Sequence, residues 1–341
     1  MSVRVSSLDR RRFMTLLASG PVAFGLGDAG AVAASAPARF VPTIEDDFWT
    51  VAANPDLGSL SSPGQQPVDF AIWQAADGAW QLWSCIRSTR VAGHTRLFYR
   101  WQGRRLTDTT WEPMGIALIA DPKFGELEGG LQAPFVLKAR GAYYMLYGDW
   151  EHICLATSVD GKTFVRQLAK DGTSGMFSIA PRAKTRDPMV LAHRGRYYCY
   201  TTANPQGNGA VYCCISSDLR HWGAPTIVSA GGAAGTGPSS TECPFVYRHD
   251  DSGMFFLFRT RRYGPDAETC VYASPDPLNF GVHDDRYFIA TMPLAAPEVI
   301  AHGGRMYLAC LRPALDGIRI ARLRFVYRQA SLEPDRIRLP I

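Results

Sequence analysis

The chain has 341 residues, 46% of them hydrophobic and 20% charged, with a net charge of +5. This apolar share builds a large core and excludes a disordered chain. The charge is spread along the sequence, and no basic block interleaved with aromatics marks a nucleic-acid surface.

In chain order, residues 1–36 read first as an export signal. Asp9-Arg10-Arg11-Arg12-Phe13-Met14 resembles the twin-arginine motif. The apolar stretch from Phe13 to Leu26, interrupted by Gly20 and Pro21, is too short to span a bilayer comfortably, and Ala34-Ser35-Ala36 offers a small-x-small cleavage site. The expected mature chain starts near Pro37, is periplasmic or secreted, and keeps no membrane anchor. Residues 37–66, rich in Pro, Gly and Ser, read as an N-terminal extension that runs along the outside of the fold or closes it. Eight cysteines, at 85, 154, 199, 213, 214, 243, 270 and 310, form no C-x-x-C pair or zinc pattern. They read as small buried hydrophobes with no disulfide expected.

Residues 67–328 carry a fivefold repeat: a short motif usually holding Pro, a strand, a polar turn, then an aromatic strand. The copies begin at Val68-Asp69-Phe70, Gln132-Ala133-Pro134, Arg186-Asp187-Pro188, Glu242-Cys243-Pro244 and Ala295-Ala296-Pro297, and the Pro-position steps are 64, 54, 56 and 53 residues. A second element recurs every 58 residues, at Ser158-Val159-Asp160, Ser216-Ser217-Asp218 and Ser274-Pro275-Asp276, each running on to an aromatic at 164, 222 or 280. Its Asp suits a turn in which the side chain bonds the backbone two residues on. Each repeat therefore reads as one four-stranded blade. The expected fold class is all-β, a five-bladed β-propeller forming a single domain after the signal peptide, with a short polar tail at 329–341. Tyr143, Tyr144, Tyr197, Tyr198, Phe255 and Phe256 are expected on second strands, one of each pair packing between sheets.

First strands of a propeller line its central channel, so matched positions converge on one axis. The residue before the Pro position is Asp69, Ala133, Asp187, Cys243 and Ala296; the one before that is Val68, Gln132, Arg186, Glu242 and Ala295. Three acids from blades 1, 3 and 4 thus meet in an otherwise neutral column containing one arginine. Crowded carboxylates repel one another and lose water, which pushes their pKa values apart, and glycosidic cleavage needs such a pair.

These motifs resemble those of the five-bladed glycoside hydrolases of families 43 and 32. Arg186-Asp187-Pro188 is similar to the Arg-Asp-Pro motif of family 32, and Glu242-Cys243 to its Glu-Cys motif; an Asp, an Asp and a Glu in blades 1, 3 and 4 also fit family 43. The resemblance implies Glu242 as the acid protonating the leaving oxygen, Asp187 as the carboxylate that stabilises charge and tunes the acid, and Asp69 as base or nucleophile. Val68-Asp69-Phe70-Ala71 departs from the family 32 motif of blade 1 and no C-terminal sandwich fits, so an inverting, family 43-like activity on arabinose- or xylose-type linkages is favoured over fructan cleavage.

Around this core, Arg186, Gln132, Asp149, Trp150, Arg259 and Trp73 are candidate substrate contacts. A carbohydrate is the expected partner, and the sequence does not fix an oligomeric state. No cofactor is expected. Some members of these families hold a cation on the channel axis, and no cluster among the histidines marks a metal here. Two alternatives stand beside the hydrolase: a phosphorylase or transglycosylase, for which Arg186, Arg259, Arg261 and Arg262 would supply phosphate-binding charge, and a non-catalytic carbohydrate-binding propeller.

Overall fold

The computed structural model describes residues 39–329 and 334–339. The expected export signal lies outside them. The body of every sheet is built from strands consecutive in sequence and paired antiparallel, and two sheets gain further strands from elsewhere in the chain. Blade 1 comprises Gln66–Gln74, Trp80–Arg87, Leu97–Gly103 and Glu112–Leu118; blade 3 comprises Arg186–His193, Arg196–Ala203, Ala210–Ser216 and Thr226–Ala230. Blade 2 runs through Gln132–Ala139, Ala142–Gly148 and Ile153–Ser158, whose outer edge is shared by the short strands Val165–Arg166 and Gly175–Phe177. Blade 4 comprises Glu242–Arg248, Phe255–Arg262, Glu268–Ser274 and Phe288–Met292, extended by Asp335–Arg336, which pairs in parallel. Each first strand packs against the first strand of the next blade, and that of blade 5 (Glu298–His302) returns to that of blade 1. The molecule is a closed five-bladed propeller.

Closure comes from the segment read as an extension. Arg39–Ile44 and Trp49–Ala53 both pair with Gly317–Arg328, the third strand of blade 5, in registers running from Arg39↔Arg328 to Ile44↔Leu323 and from Trp49↔Ile320 to Ala53↔Gly317. Val41 and Val51 are fully buried in this seam. One blade is thus shared between the two ends of the chain, which removes an unpaired edge.

The Asp turns have the expected construction. Asp160 Oδ1 accepts from the backbone N–H groups of Lys162 and Thr163, and Asp218 Oδ1 from those of Arg220 and His221. These bonds hold the Asp160 carboxyl down at about 2. The aromatic that closes each turn packs on the preceding blade. Phe164 meets Trp73 and Trp83, Trp222 meets Phe177, and Phe280 meets Tyr200.

The paired aromatics lie on second strands as expected, with one difference. Tyr143 is buried and Tyr144 half-buried, while Phe255 and Phe256 are both buried. In blade 3, Tyr197 and Tyr198 are only half-buried, and Tyr200 takes the inter-blade position, its hydroxyl donating to the Pro277 carbonyl of the next Asp turn at 2.9 Å. Phe256→Ala is expected to cost about 3–5 kcal/mol in chemical denaturation, because Phe256 is 1% exposed and packs against Phe325 of blade 5.

Candidate active site

The site begins with a backbone irregularity repeated around the ring. Four first strands lose register at the motif, between Val68 and Phe70, Gln132 and Phe135, Arg186 and Met189, and Glu242 and Phe245. At the residue before the Pro position φ is positive in all five blades: 41° at Asp69, 42° at Ala133, 56° at Asp187, 44° at Cys243 and 50° at Ala296. Such values are uncommon for residues with a Cβ. A bulge of this kind re-aims side chains beside it. Plain strand alternation would send successive residues to opposite faces. Here Arg186 and Asp187, like Val68 and Asp69, line one cavity. Ala133 and Ala296 share the conformation, so the strain belongs to the ring, and blades 1, 3 and 4 load it with chemistry.

Asp69, Asp187 and Cys243 face the axial channel, and Asp69, Asp187 and Glu242 open together into an adjoining cavity of about 380 Å³. The three sequence-predicted acids are therefore brought together at one end of the channel. Arg186 ties them. Its Nη2 donates to Glu242 Oε1, its Nε lies 3.4 Å from Glu242 Oε2, and the same Nε is 3.9 Å from Asp187 Oδ2. The guanidinium is itself fixed by the Lys184 and Pro238 carbonyls and by Asn204 Oδ1. Asp187 Oδ2 accepts the Cys243 backbone N–H at 3.0 Å. The Cys243 thiol donates to Asp69 Oδ1 at 3.2 Å and lies 3.1 Å from the Tyr263 hydroxyl.

The electrostatics single out Asp187. Burial, reinforced by the negative charges of Glu242 and Asp69, pushes Asp187 up to about 8. It therefore holds its proton at neutral pH, although Arg186 and the Cys243 amide pull the other way. Burial also raises the Cys243 thiol and the Tyr263 hydroxyl well above their ordinary ranges, so both serve as neutral donors.

Of the other predicted residues, Arg186, Gln132 and Trp150 line the cavity. Gln132 is 5% exposed and its Oε1 has no donor among the described residues. Trp150, at φ 89°, is stacked on His94 with ring centroids 4.0 Å apart, and Arg96 lies 5.1 Å above its ring. Asp149, Arg259 and Trp73 do not line the cavity. Asp149 is spent within its own turn, where Oδ1 accepts from the N–H groups of Glu151 and His152. Arg259 is fully buried behind the site, donating to the Ser240 and Gly235 carbonyls and to Ser229 Oγ, and so braces the loop leading into Glu242. Trp73 is core, its indole N–H bonded to the Gly161 carbonyl at 2.8 Å. Arg261 and Arg262 both pair with Glu268 and are likewise absent from the cavity lining.

Sequence reasoning missed Arg87, Arg96, Lys184, Asn204, Tyr263 and the role of Cys243. One signal was available. First and second strands are antiparallel, so the end of each second strand returns to the channel mouth where the first begins. Arg87, Trp150, Asn204 and Tyr263 occupy or closely follow those ends.

Glu298, in the channel lining two residues past Ala296, accepts the Ile72 N–H at 3.3 Å, and burial raises its carboxyl well above the usual range. It is outside the cavity lining. Glu298→Gln is expected to leave turnover within about twofold of wild type, measured beside the cavity variants below, since a neutral amide replaces a neutral acid. Among the described residues no group of three or more His, Cys, Asp or Glu side chains is arranged to hold a metal.

No family model and no curated protein sequence matches the chain. Solved structures do. A thermostable family-43 glycoside hydrolase superposes with a TM-score of 0.55 at 16% identity, over 80% of this chain and 97% of that one. An endo-arabinase from Bacteroides thetaiotaomicron gives 0.56 at 16% identity, over 82% and 100%. A Bombyx mori β-fructofuranosidase of glycoside hydrolase family 32 gives 0.57 at 18% identity, over 80% and 61%. At these identities the likeness is one of fold: this chain has the five-bladed propeller of the glycoside hydrolases of families 43 and 32.

Proposed function

We propose that the protein is a glycoside hydrolase, with Asp69, Asp187 and Glu242 performing the cleavage. The observation that carries this reading is the meeting of three carboxyls from separate blades in one cavity, one of them held protonated by burial and by the charge of the other two. Glu242 protonates the leaving oxygen. Asp187, sharing Arg186 with it, supplies and tunes that proton. Asp69, oriented by the Cys243 thiol, acts as base or nucleophile. Gln132 presents an acceptor to a sugar hydroxyl, which would satisfy its buried oxygen. Arabinose- or xylose-type linkages are favoured, since the structures sharing the fold include an endo-arabinase, an α-L-arabinofuranosidase and a β-xylosidase. The phosphorylase alternative loses three of its four arginines, because Arg259, Arg261 and Arg262 have other partners.

The test is a screen of aryl glycosides, furanosides first, with wild type beside Glu242→Gln. Release of the aryl group by wild type identifies the sugar, and cleavage of the corresponding alkyl glycoside by wild type at rates well above the variant's supports the reading; equal rates of both on the alkyl glycoside remove Glu242 from it. Export is tested separately, by N-terminal sequencing of protein recovered outside the cytoplasm. The expected first residue is near Pro37, and an intact Met1 on a chain that stays in the cytoplasm contradicts it.

A further inference from the structure

The same cavity holds more positive charge than its carboxyls require. Four cations line it: Arg87, Arg96, Lys184 and Arg186. Arg186 is taken up by Glu242, and Asp187 holds its proton. Arg96 is only weakly compensated: its side chain is 16% exposed, Nη1 donates to the Cys85 thiol at 3.7 Å, and its carboxylate neighbour Asp69 is 3.8 Å away, too long for a hydrogen bond. Arg87 and Lys184 have no carboxylate partner among the described residues. The Arg87 guanidinium is nonetheless held in place, since Gln66 Oε1 accepts from both Nε, at 3.0 Å, and Nη2, at 2.6 Å. That arrangement fixes the fork and leaves Nη1 without an acceptor among the described residues. A half-buried guanidinium fixed by a neutral amide, with no counter-ion, is a poor choice for stability and a good one for receiving an anion.

We infer that, beside the pentose whose linkage is cleaved, this cavity takes a sugar that carries an acidic substituent, a carboxylate as in a uronic acid, and that Arg87 is the residue that reads it. The inference rests on the glycoside-hydrolase reading of the same cavity. The chemistry is complementary on both sides. A uronic acid offers a planar carboxylate, which matches the donor geometry of arginine, and hydroxyl donors, which match the unpartnered Gln132 oxygen. The uncompensated cations also raise the local concentration of anionic glycans at the mouth. A neutral pentose leaves Arg87 with water alone.

Isothermal titration of the full chain separates the cases, using D-glucuronate and D-galacturonate, their neutral counterparts D-glucose and D-galactose, and inorganic phosphate. At least one uronate is expected to bind about tenfold more tightly than its neutral counterpart at low salt. The preference should shrink as salt is added, vanish in Arg87→Gln, and persist in part in Arg87→Lys. Circular dichroism and Tm establish that the variants fold. Uronates binding no more tightly than neutral sugars overturn the inference, as does a preference that survives in folded Arg87→Gln. Phosphate binding that depends on Arg87 while the uronates fail to bind overturns it in favour of a free-anion site. Aryl glycoside turnover reads the underlying hydrolase separately. Cleavage of neutral glycosides without uronate preference removes only the acidic sugar. Arg87-dependent uronate binding with no glycoside cleaved removes only the hydrolase.

Discussion

Glu242→Gln is expected to lose about 10²–10⁴-fold in rate on glycosides with poor leaving groups, and far less on those carrying an activated aryl group. The asymmetry follows from the role. A nitrophenolate departs almost unaided, whereas an alkoxide needs its proton in the transition state. Asp69→Asn should lose at least as much on every substrate, because no leaving group replaces a missing base or nucleophile. A glutamine side chain at position 242 still accepts from Arg186, so the change removes the transferable proton and keeps much of the bonding that holds the side chain. Equal losses on good and poor leaving groups in Glu242→Gln would move the acid role elsewhere. The carboxyl raised by burial and its neighbours, Asp187, would be the first candidate.

Asp187→Asn should abolish activity and at the same time stabilise the fold. The sign follows from linkage. The folded carboxyl sits at about 8 against an ordinary 3.8, so between those values the folded chain keeps a proton that the unfolded chain releases. Stability of the wild type therefore falls as pH rises through that window. The substituted amide has no proton to lose, and its oxygen still accepts from the Cys243 N–H. The gain of the variant over wild type should be near zero at about pH 4, grow through neutrality and reach at least about 1 kcal/mol by pH 8 in urea denaturation. Glu242→Gln, by removing the largest charge acting on Asp187, should flatten the same curve in the wild-type background. A gain that shrinks with rising pH would mean that Asp187 is held ionised, paired to Arg186, and would end its role as the reserve of protons. A carboxyl that costs stability where it sits is typical of a group retained for function.

The fold was legible because its signals repeat. Five motifs in register and three Asp turns at equal spacing fix blades and strand order without any contact information, since each turn has a local cause. Closure was legible only as one of two readings of residues 37–66, and its partner strand was not. Nothing in Arg39–Ile44 or Trp49–Ala53 announces a partner near residue 320, because strand pairing across the length of the chain leaves no local pattern. The column of acids was legible for the same reason as the blades: Asp69, Asp187 and Glu242 stand at matched positions. How Glu242, one residue earlier in its motif, reaches the cavity that Asp69 and Asp187 line was not. That depends on the positive-φ bulge, which sequence does not display at an Asp or a Cys. Asp149 and Arg259 mislead for a related reason. Both are charged residues near the right strand ends, and only their hydrogen bonds show that one closes a turn and the other braces a loop. Cys243 reads as core from its apolar neighbours, and its thiol instead fixes an oxygen of Asp69.

The central claim is that these three carboxyls together cleave a glycosidic bond, and proton NMR of an alkyl pentofuranoside, whose poor leaving group needs the acid, incubated with the protein tests it most directly. Wild type should release free sugar as a single anomer before mutarotation, inverted if a water is activated by Asp69, while Asp69→Asn, Asp187→Asn and Glu242→Gln, each folded, release it at least about a hundredfold more slowly. Release of sugar by all three variants at the wild-type rate would contradict the account.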